Sequence, residues 1–218
     1  MAAVKKRRYD MANRARQAAD TRRRIVDAAA ELFLRDGYAA TSMNAIAAQA
    51  GVAVQTVFAS MKTKRDILET VIQLTVRGDE DKAPLAASTR WRQMEAKVDP
   101  REKLATFARI HRQICEREAG LFVVLEAAAA SDTEIQPLLR DKERYRHEDQ
   151  ARVARSLARR GQLRAGLSAA KASDIIWALA SERVYLALVK ERGWSVEEYE
   201  DWLTEQLAAA LVAPPNTA

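Results

Sequence analysis

The chain has 218 residues, 48% of them hydrophobic, with only 7 Gly and 5 Pro, so it can bury a sizeable core and favours helices over sheets. Its single cysteine, Cys115, excludes an intramolecular disulfide framework and is typical of a reducing cytoplasm. The net charge is +6, but residues 1–65 hold 13 Lys and Arg against 5 Asp and Glu, which gives that segment a charge of +8.

A basic head on a nearly neutral body is typical of a module that binds a polyanion. A solvated basic tail is the simpler alternative, but it would account for residues 4–16 alone. No run of about 18 apolar residues is present, and no apolar stretch follows Lys5–Arg8. Neither a transmembrane helix nor a secretory signal is therefore expected, and we predict a cytoplasmic protein without a membrane partner.

The first 79 residues are predicted to form an arm and a small helical domain. Residues 1–18 are basic and weakly periodic, which favours a flexible arm. Residues 19–79 carry apolar residues at helical spacing, interrupted by cap and turn residues. The predicted helices run over residues 21–35, 43–50, 54–60 and from residue 64 onward. Ser42 and Thr63 are placed to cap two of them, and Gly51 breaks the chain between the second and the third.

The remaining chain continues the helical pattern. Residues 80–212 are predicted to form a larger helical domain for effector binding and dimerisation, followed by a tail at 213–218. Asp99-Pro100 is a typical helix start, and the segment Ser195–Glu198 is a capping box that opens the last helix. No segment requires a strand, so the predicted fold class is all-α.

Two short helices separated by Gly51 make a helix-turn-helix at about residues 42–61. The second helix, predicted over residues 54–60, is about 10 Å long, which suits insertion into a DNA major groove. Val57 lies on its apolar side. Gln55 and Thr56 lie on the other side, where they are free to meet DNA.

The stretch over residues 21–74 strongly resembles the DNA-binding domain of TetR-family transcriptional regulators. The resemblance rests on the helical apolar pattern together with Gly37-Tyr38, Thr41-Ser42, Ala50-Gly51-Val52, Thr56-Val57-Phe58 and Lys64 followed by Ile67-Leu68. Residues 166–203 are similar in style to the last two helices of that family. The resemblance implies a regulator with an N-terminal DNA-binding domain and a helical ligand-binding and dimerisation domain.

The resemblance also implies which side chains meet DNA. It assigns phosphate contacts to Ser42, Thr56, Phe58 and Lys64, base contacts to residues 53–60 including Val54 and Gln55, and a place on the DNA side to Lys62. Two of these roles have independent chemical support. A cation at a helix start opposes the macrodipole, so Lys64 is better placed facing a phosphate. The Gln55 amide can bond adenine bidentately. An ordinary solvated surface residue remains the alternative for each.

Three arginines precede the predicted domain core. Arg22, Arg23 and Arg24 fall in the first turn of the predicted helix, where cations are unfavourable unless phosphates lie nearby. We therefore expect Arg22 and Arg23 to contact DNA, with Lys5–Arg8 reaching an adjacent minor groove; a merely soluble helix end is the alternative. Ala53 departs from the family pattern, which usually has a Ser or Thr cap there, and the lost cap costs about 1 kcal/mol.

Two sets of candidate residues lie in the body. The effector-pocket candidates are Phe107, His111, Cys115, Phe122, Glu126 and Trp177. A lone His on an apolar stripe is more often a core residue, and Glu126 is more often paired with an Arg than poised for a cationic ligand. The last two helices carry more apolar residues than one core needs, which predicts a four-helix bundle between two copies, with ordinary intrachain packing as the alternative. The candidate interface residues are Leu179, Leu186, Trp202, Leu203 and Leu207.

Catalysis and cofactors are not expected. Two His and one Cys scattered along the chain cannot make a metal site, and no nucleophile–base pair or Gly-rich phosphate loop is present. We expect a homodimeric repressor that binds a palindromic double-stranded operator in the bacterial nucleoid and is released by a small-molecule effector. The alternatives are a constitutive DNA binder without an effector, and a helical enzyme or adaptor with an incidental basic head.

Overall fold

The structure is a computed structural model that describes the backbone of residues 2–78 and 85–213, with side chains from Ala15 onward. It confirms the all-α class, since strand-type pairing within these ranges is limited to one bridge between Leu163 and Val212. The α-helices in chain order are α1 (Ala2–Ala40), α2 (Met43–Ala50), α3 (Val54–Ser60), α4 (Lys64–Arg77), α5 (Thr89–Ala96), α6 (Pro100–Ser131), α7 (Gln136–Arg159), α8 (Ala169–Leu179), α9 (Glu182–Tyr185) and α10 (Val196–Leu211). A 3₁₀ turn, Leu85–Ala87, precedes α5, and a π-helix, Leu186–Glu191, follows α9. No helix in the described ranges has the length and hydropathy needed to cross a bilayer.

The first helix begins much earlier than predicted. The backbone of residues 2–18, expected to be a flexible arm, is part of α1, so the helix that was predicted over residues 21–35 begins well before residue 21. The side chains of Lys5–Arg8, and with them the predicted minor-groove contact, lie outside the described residues. Near its other end α1 is kinked at Gly37, whose φ of 80° favours glycine.

The caps predicted for the short helices are confirmed. The Ser42 hydroxyl accepts a hydrogen bond from the Ala45 amide at 3.1 Å, which starts α2. Thr63 and Asp66 form a reciprocal capping box at the start of α4. Gly51 ends α2 with a left-handed φ of 63°. Ala53, in contrast, makes no side-chain bond at the start of α3, so this helix is held by its neighbours rather than by its own cap.

Two hydrophobic cores meet along α6. One core packs α1 to α4 against the C-terminal half of α6, where Leu121 and Leu125 are fully buried. The second core joins α5, the first half of α6, α7, α8 and α10. Because α6 contributes to both cores, the N-terminal helices and the body share buried surface. A displacement of α6 in the body would therefore shift the N-terminal helices that pack against it.

Candidate functional site

The exposed side of α3 presents a polar and aromatic surface. Gln55 is exposed, the Phe58 ring is 50% exposed, and Thr56 is half-buried. Val57 is fully buried in the first core, and Val54 packs against the same core. Helix α3 therefore has one side packed against the core and one side exposed, as predicted. Gln55 and Phe58 on the exposed side can reach a DNA groove without rearrangement.

Lys64 does not face solvent in the way its predicted phosphate contact requires. Its ammonium donates hydrogen bonds to the main-chain carbonyls of Tyr38 at 2.7 Å and Thr41 at 2.8 Å, with a longer contact to that of Ala39 at 3.4 Å. It also lies 4.2 Å from the centre of the Tyr38 ring. Burial there lowers the pKa of Lys64. The cation that is unfavourable at the start of its own helix thus occupies the negative C-terminal end of α1.

Two arginines of α1 have similar roles. The Arg24 guanidinium donates to the carbonyls of Ala50 and Gly51 at the C-terminus of α2, the second at 3.0 Å. The Arg22 guanidinium is 3.4 Å from the Ser60 carbonyl at the end of α3. Lys64, Arg24 and Arg22 therefore each lie at the C-terminal carbonyls of one helix, α1, α2 and α3 respectively. These cations hold the helix-turn-helix together internally, a role the sequence pattern did not reveal.

Arg22, Arg23 and Arg24 do not lie in the first turn of a helix, because α1 begins before them, so the helix dipole gives no reason for phosphates nearby. Arg23 is exposed and lies 3.7 Å from Asp27 one turn along. Arg22 is exposed, so its contact with Ser60 leaves guanidinium donors facing outward. Lys62, between α3 and α4, is exposed and makes no hydrogen bond or ion pair within the described part of the chain. Of the two lysines predicted to contact DNA, Lys64 is bonded to main-chain carbonyls, and Lys62 is the one whose ammonium can bind a phosphate without breaking bonds within the chain.

A cavity of about 480 Å³ lies between α4, α5, α6, α7 and α9. Its apolar walls are formed by Ile72, Val76, Leu85, Trp91, Phe107, Ile110, Ile114 and Leu138, and its polar walls include Glu118, Lys142, Arg146, Gln150 and Glu182. Two predicted pocket residues, Phe107 and His111, line it. Their rings are stacked at a centroid distance of 6.3 Å. The volume is that of a small-molecule site.

The other four pocket candidates lie elsewhere. Cys115 is fully buried behind the cavity, with its sulfur 3.4 Å from His111 Nε2. Glu126 pairs with Arg183 at the surface, the alternative that its sequence context favoured. Phe122 packs beneath two cations, and the Trp177 ring, 37% exposed, lies 4.9 Å from the Arg146 guanidinium. Helical spacing placed these residues near the body core, but only the folded chain shows which of them border the space.

The polar side of the cavity is a buried charge cluster. The Lys142 ammonium is 2.9 Å from Glu118 and 2.5 Å from Glu182, and the Arg146 guanidinium is 2.6 Å from Glu143 and 3.5 Å from Glu182. Burial raises the pKa of Glu118 to about 8, and the nearby Glu182 carboxylate contributes to the increase. The cations Lys142 and Arg146 hold the pKa of Glu182 well below its usual value despite its burial. Burying any one of these charged side chains alone would cost several kcal/mol of desolvation free energy, and their mutual ion pairs offset that cost.

The burial of His111 should make the free energy of unfolding fall in acid. Burial lowers the pKa of His111 to about 4 from 6.5, so the folded protein resists its protonation. Its contribution is present above pH 6.5 and lost as the pH falls through 4, an effect of about 3 kcal/mol in the free energy of unfolding. In urea unfolding at pH 7 and pH 4, His111→Gln should lose less stability on acidification than the wild type, by roughly that amount. His147→Gln is the control for the loss of an imidazole outside the cavity, because His147 is exposed.

The predicted dimer residues divide into two groups. Leu203 and Leu207 are fully buried in the second core of their own chain, so assigning them to an interface is wrong. Leu179, Leu186 and Trp202 are only partly buried and pack against the edge of that core. Their remaining surface faces outward from α8, the π-helix and α10. The apolar residues of α10 follow the predicted helical period, but their stripe points into the core of their own chain.

Comparison with known proteins agrees with this geometry. Residues 25–71 match the family model for bacterial regulatory proteins of the tetR family. The fatty acid degradation regulator FadR of Bacillus halodurans is similar over 86% of this chain and 94% of its own, at 20% identity and a TM-score of 0.68. FadR of Bacillus subtilis, solved with stearoyl-CoA, is similar over 84% and 96%, at 21% identity and a TM-score of 0.68.

A candidate transcriptional regulator of Saccharomonospora viridis, solved with choline, is similar over 90% of this chain and all of its own, at 21% identity and a TM-score of 0.69. No curated protein sequence matches the chain. At these identities the solved structures bear on the fold, whereas the match over residues 25–71 bears on the helix-turn-helix itself.

Proposed function

We propose that the chain is a homodimeric repressor of the tetR family, released from a palindromic operator by a small molecule, because residues 25–71 match the model of that family of bacterial regulatory proteins. The observation that carries the proposal is the free side of α3. A two-turn helix with its apolar side buried in the first core presents Gln55 and Phe58 outward, beside the available cation of Lys62. This is the geometry of a recognition helix in a helix-turn-helix.

Release is supported by the position of α4 in the cavity wall. Glu69, Ile72, Gln73 and Val76 of this helix line the space, while Lys64 at its first turn is bonded to the end of α1. A ligand that pushes α4 outward would strain those bonds and shift α1 and α3 together. Since two DNA-binding heads must match two half-sites, such a shift changes the spacing on which operator affinity depends. The cavity favours this reading over a constitutive DNA binder.

Dimerisation is supported by the outward side of α10. Trp202, Gln206 and Ala209 follow at spacings of four and three residues, so they share one face of the helix. This face lies away from Leu203 and Leu207, which point into the core. Together with the outward parts of Leu179 and Leu186 it is the surface that we propose for a bundle with a second copy, which two-fold symmetry requires to be self-complementary. The proposed setting is the bacterial cytoplasm, with the repressor on the chromosome.

The test is binding to an inverted repeat upstream of the gene. Fluorescence anisotropy with that duplex should give tight binding of one dimer, and the logarithm of the affinity should fall with the logarithm of the salt concentration with a slope of several units. An affinity that does not change between about 50 and 200 mM salt would remove the electrostatic basis of the proposal.

Gln55 should carry base recognition. Gln55→Ala is expected to weaken binding to the cognate duplex by roughly 1–3 kcal/mol while leaving a scrambled duplex nearly unaffected, because base contacts carry sequence information and phosphate contacts do not. The measurement is the affinity of wild type and variant for both duplexes at two salt concentrations. Equal weakening of both duplexes would make Gln55 a backbone contact and leave base readout to Thr56 or Ala59.

A further inference from the structure

The cavity wall contains a buried hydrogen-bond acceptor that lacks a donor and, near it, a pair of buried carboxyl groups. Gln150 is 3% exposed, and while its amide nitrogen donates to the Ala180 carbonyl at 2.9 Å, its Oε1 has no partner in the described structure. Glu118 is 1% exposed; its carboxyl group meets that of Glu182 in a hydrogen bond that needs a proton between them, and its Oε1 lies 2.9 Å from the Lys142 ammonium. Buried acceptors of this kind are costly when empty, so they indicate where a ligand's donors would be stabilised.

The lining is also polarised along α6. Phe107, Ile110, Ile114 and Glu118 lie on one face of this helix and all border the cavity. Eleven residues separate the first from the last, which corresponds to about 16 Å of helix. The Phe107 end is apolar and is closed by Trp91, whereas the Glu118 end carries the charge cluster. The space therefore fits a molecule with an apolar body and one polar head.

The charge balance decides the sign of that head. The cluster contains three carboxylates, Glu118, Glu143 and Glu182, against two cations, Lys142 and Arg146. The groups that face Glu118 are Lys142 and Arg146 from α7, Glu182 from α9, and His111 and Cys115 from its own helix. The other charged residues in the cavity walls are Glu69 and Arg77 from α4 and Asp141, Glu148, Asp149 and Arg152 from α7, and burial raises the pKa of Asp149 to about 6. Neither His111 nor Cys115 is charged near pH 7, because burial lowers the pKa of the first and raises that of the second.

One carboxylate is thus in excess, and burial together with the nearby Glu182 carboxylate raises the pKa of Glu118 to about 8, which favours a proton on Glu118 at pH 7. A cationic head placed at Glu118 would supply the missing positive charge, and the proton on Glu118 would then be released. An anionic head would meet two carboxylates instead.

We propose that the effector is an organic cation with N–H donors and an apolar body, whose head binds at Glu118 and Gln150 and replaces the proton on Glu118. The apolar body lies along Ile114, Ile110 and Phe107 towards Trp91. The inference rests on the proposed function, since it names the chemical class of ligand for the cavity beside α4. In the binding step the ammonium or guanidinium head enters as a cation, the Glu118 carboxyl becomes a carboxylate, and one proton passes to solvent.

The test uses calorimetry on the full chain with decylammonium as the probe and decyl sulfate as its anionic counterpart. Decylammonium should bind at least ten times more tightly than decyl sulfate. Titrations at pH 7 in two buffers of different ionisation enthalpy should show close to one proton released per decylammonium bound. A tighter complex with decyl sulfate, or cation binding without proton release, would overturn the proposal.

Glu118→Gln provides the matched variant, because an amide has the shape of the protonated carboxyl and cannot ionise. It should weaken decylammonium binding at least tenfold, abolish proton release and change decyl sulfate binding by less than twofold. Glu116→Gln is the control: it removes the same charge two residues away, where Glu116 is exposed and pairs with Arg112. Equal losses in both variants would contradict the assignment, and the proton count on the wild type tests it even if Glu118→Gln does not fold.

Operator binding separates this inference from the function on which it rests. If the protein binds the inverted repeat and is released by decyl sulfate or a neutral ligand only, the repressor stands and the cation site fails. If it does not bind the repeat at all, the proposed function fails whatever calorimetry shows.

Discussion

Replacing Lys64 with methionine should lower the free energy of unfolding by about 2–3 kcal/mol and leave the salt dependence of DNA binding unchanged. Methionine retains much of the apolar stem, so the loss comes from the ammonium, which bonds carbonyls at the end of α1. Those carbonyls would lose a charged donor at the negative end of a helix. Chemical denaturation gives the stability, and anisotropy titrations at several salt concentrations give the slope.

Lys62→Met is the matched control for this experiment. Lys62 lies two residues away, is exposed and has no partner within the described chain. The variant should unfold within about 0.5 kcal/mol of the wild type. It should also weaken cognate and scrambled duplexes alike and lower the salt slope by about 1. If Lys64→Met instead lowered the slope and left stability unchanged, the ammonium would leave α1 for a phosphate when DNA binds.

Ala209→Glu should convert the protein to a monomer that retains its fold and loses about 10²–10⁴-fold in operator affinity. Ala209 is exposed on the same face of α10 as Trp202, so a charge there costs little in the protomer. In a tightly packed bundle with a second copy, the same charge would be buried without a partner. Light scattering at micromolar concentration gives the mass, and circular dichroism gives the helix content.

Leu203→Glu provides the contrast on the same helix. Leu203 is fully buried inside its own chain, so the variant should lose about 4 kcal/mol or more and unfold cooperatively at a much lower temperature, whatever its oligomeric state. A dimer that persists in Ala209→Glu would refute the proposed face. A folded monomer from Leu203→Glu would return that residue to the interface and contradict its place in the core.

The starts and breaks of the first short helices could be predicted because their signals are local. Ser42 and Thr63 bond to amides three residues along, and Gly51 adopts the left-handed conformation at the end of α2. Such interactions need no distant partner, so spacing along the chain is enough to infer them. The start of α1 could not be predicted, because the basic, weakly periodic segment over residues 2–18 carries no such local signal.

The cavity could be predicted only in part. The apolar stripe of α6 pointed to Phe107 and His111, which line it. Lys142 and Glu182 are absent from that prediction because they lie on other helices and read as ordinary charged residues of solvated faces. Their burial follows only from the packing of the helices, which brings the Lys142 ammonium between the carboxyl groups of Glu118 and Glu182.

The sequence by itself determined the helical class, the helix-turn-helix and the uneven charge, because periodicity, caps and composition are properties of neighbouring residues. The tertiary structure alone decided what each charged or apolar face meets. Lys64 lies 23 and 26 residues from the carbonyls of Thr41 and Tyr38 that it bonds, and Arg24 lies 26 residues from that of Ala50. The apolar stripe of the last helix likewise predicts that Leu203 is buried, but it does not tell whether Leu203 packs in its own chain or against a second copy. The reason is that spacing fixes the direction of a side chain from its own helix, whereas its partner depends on how the helices pack.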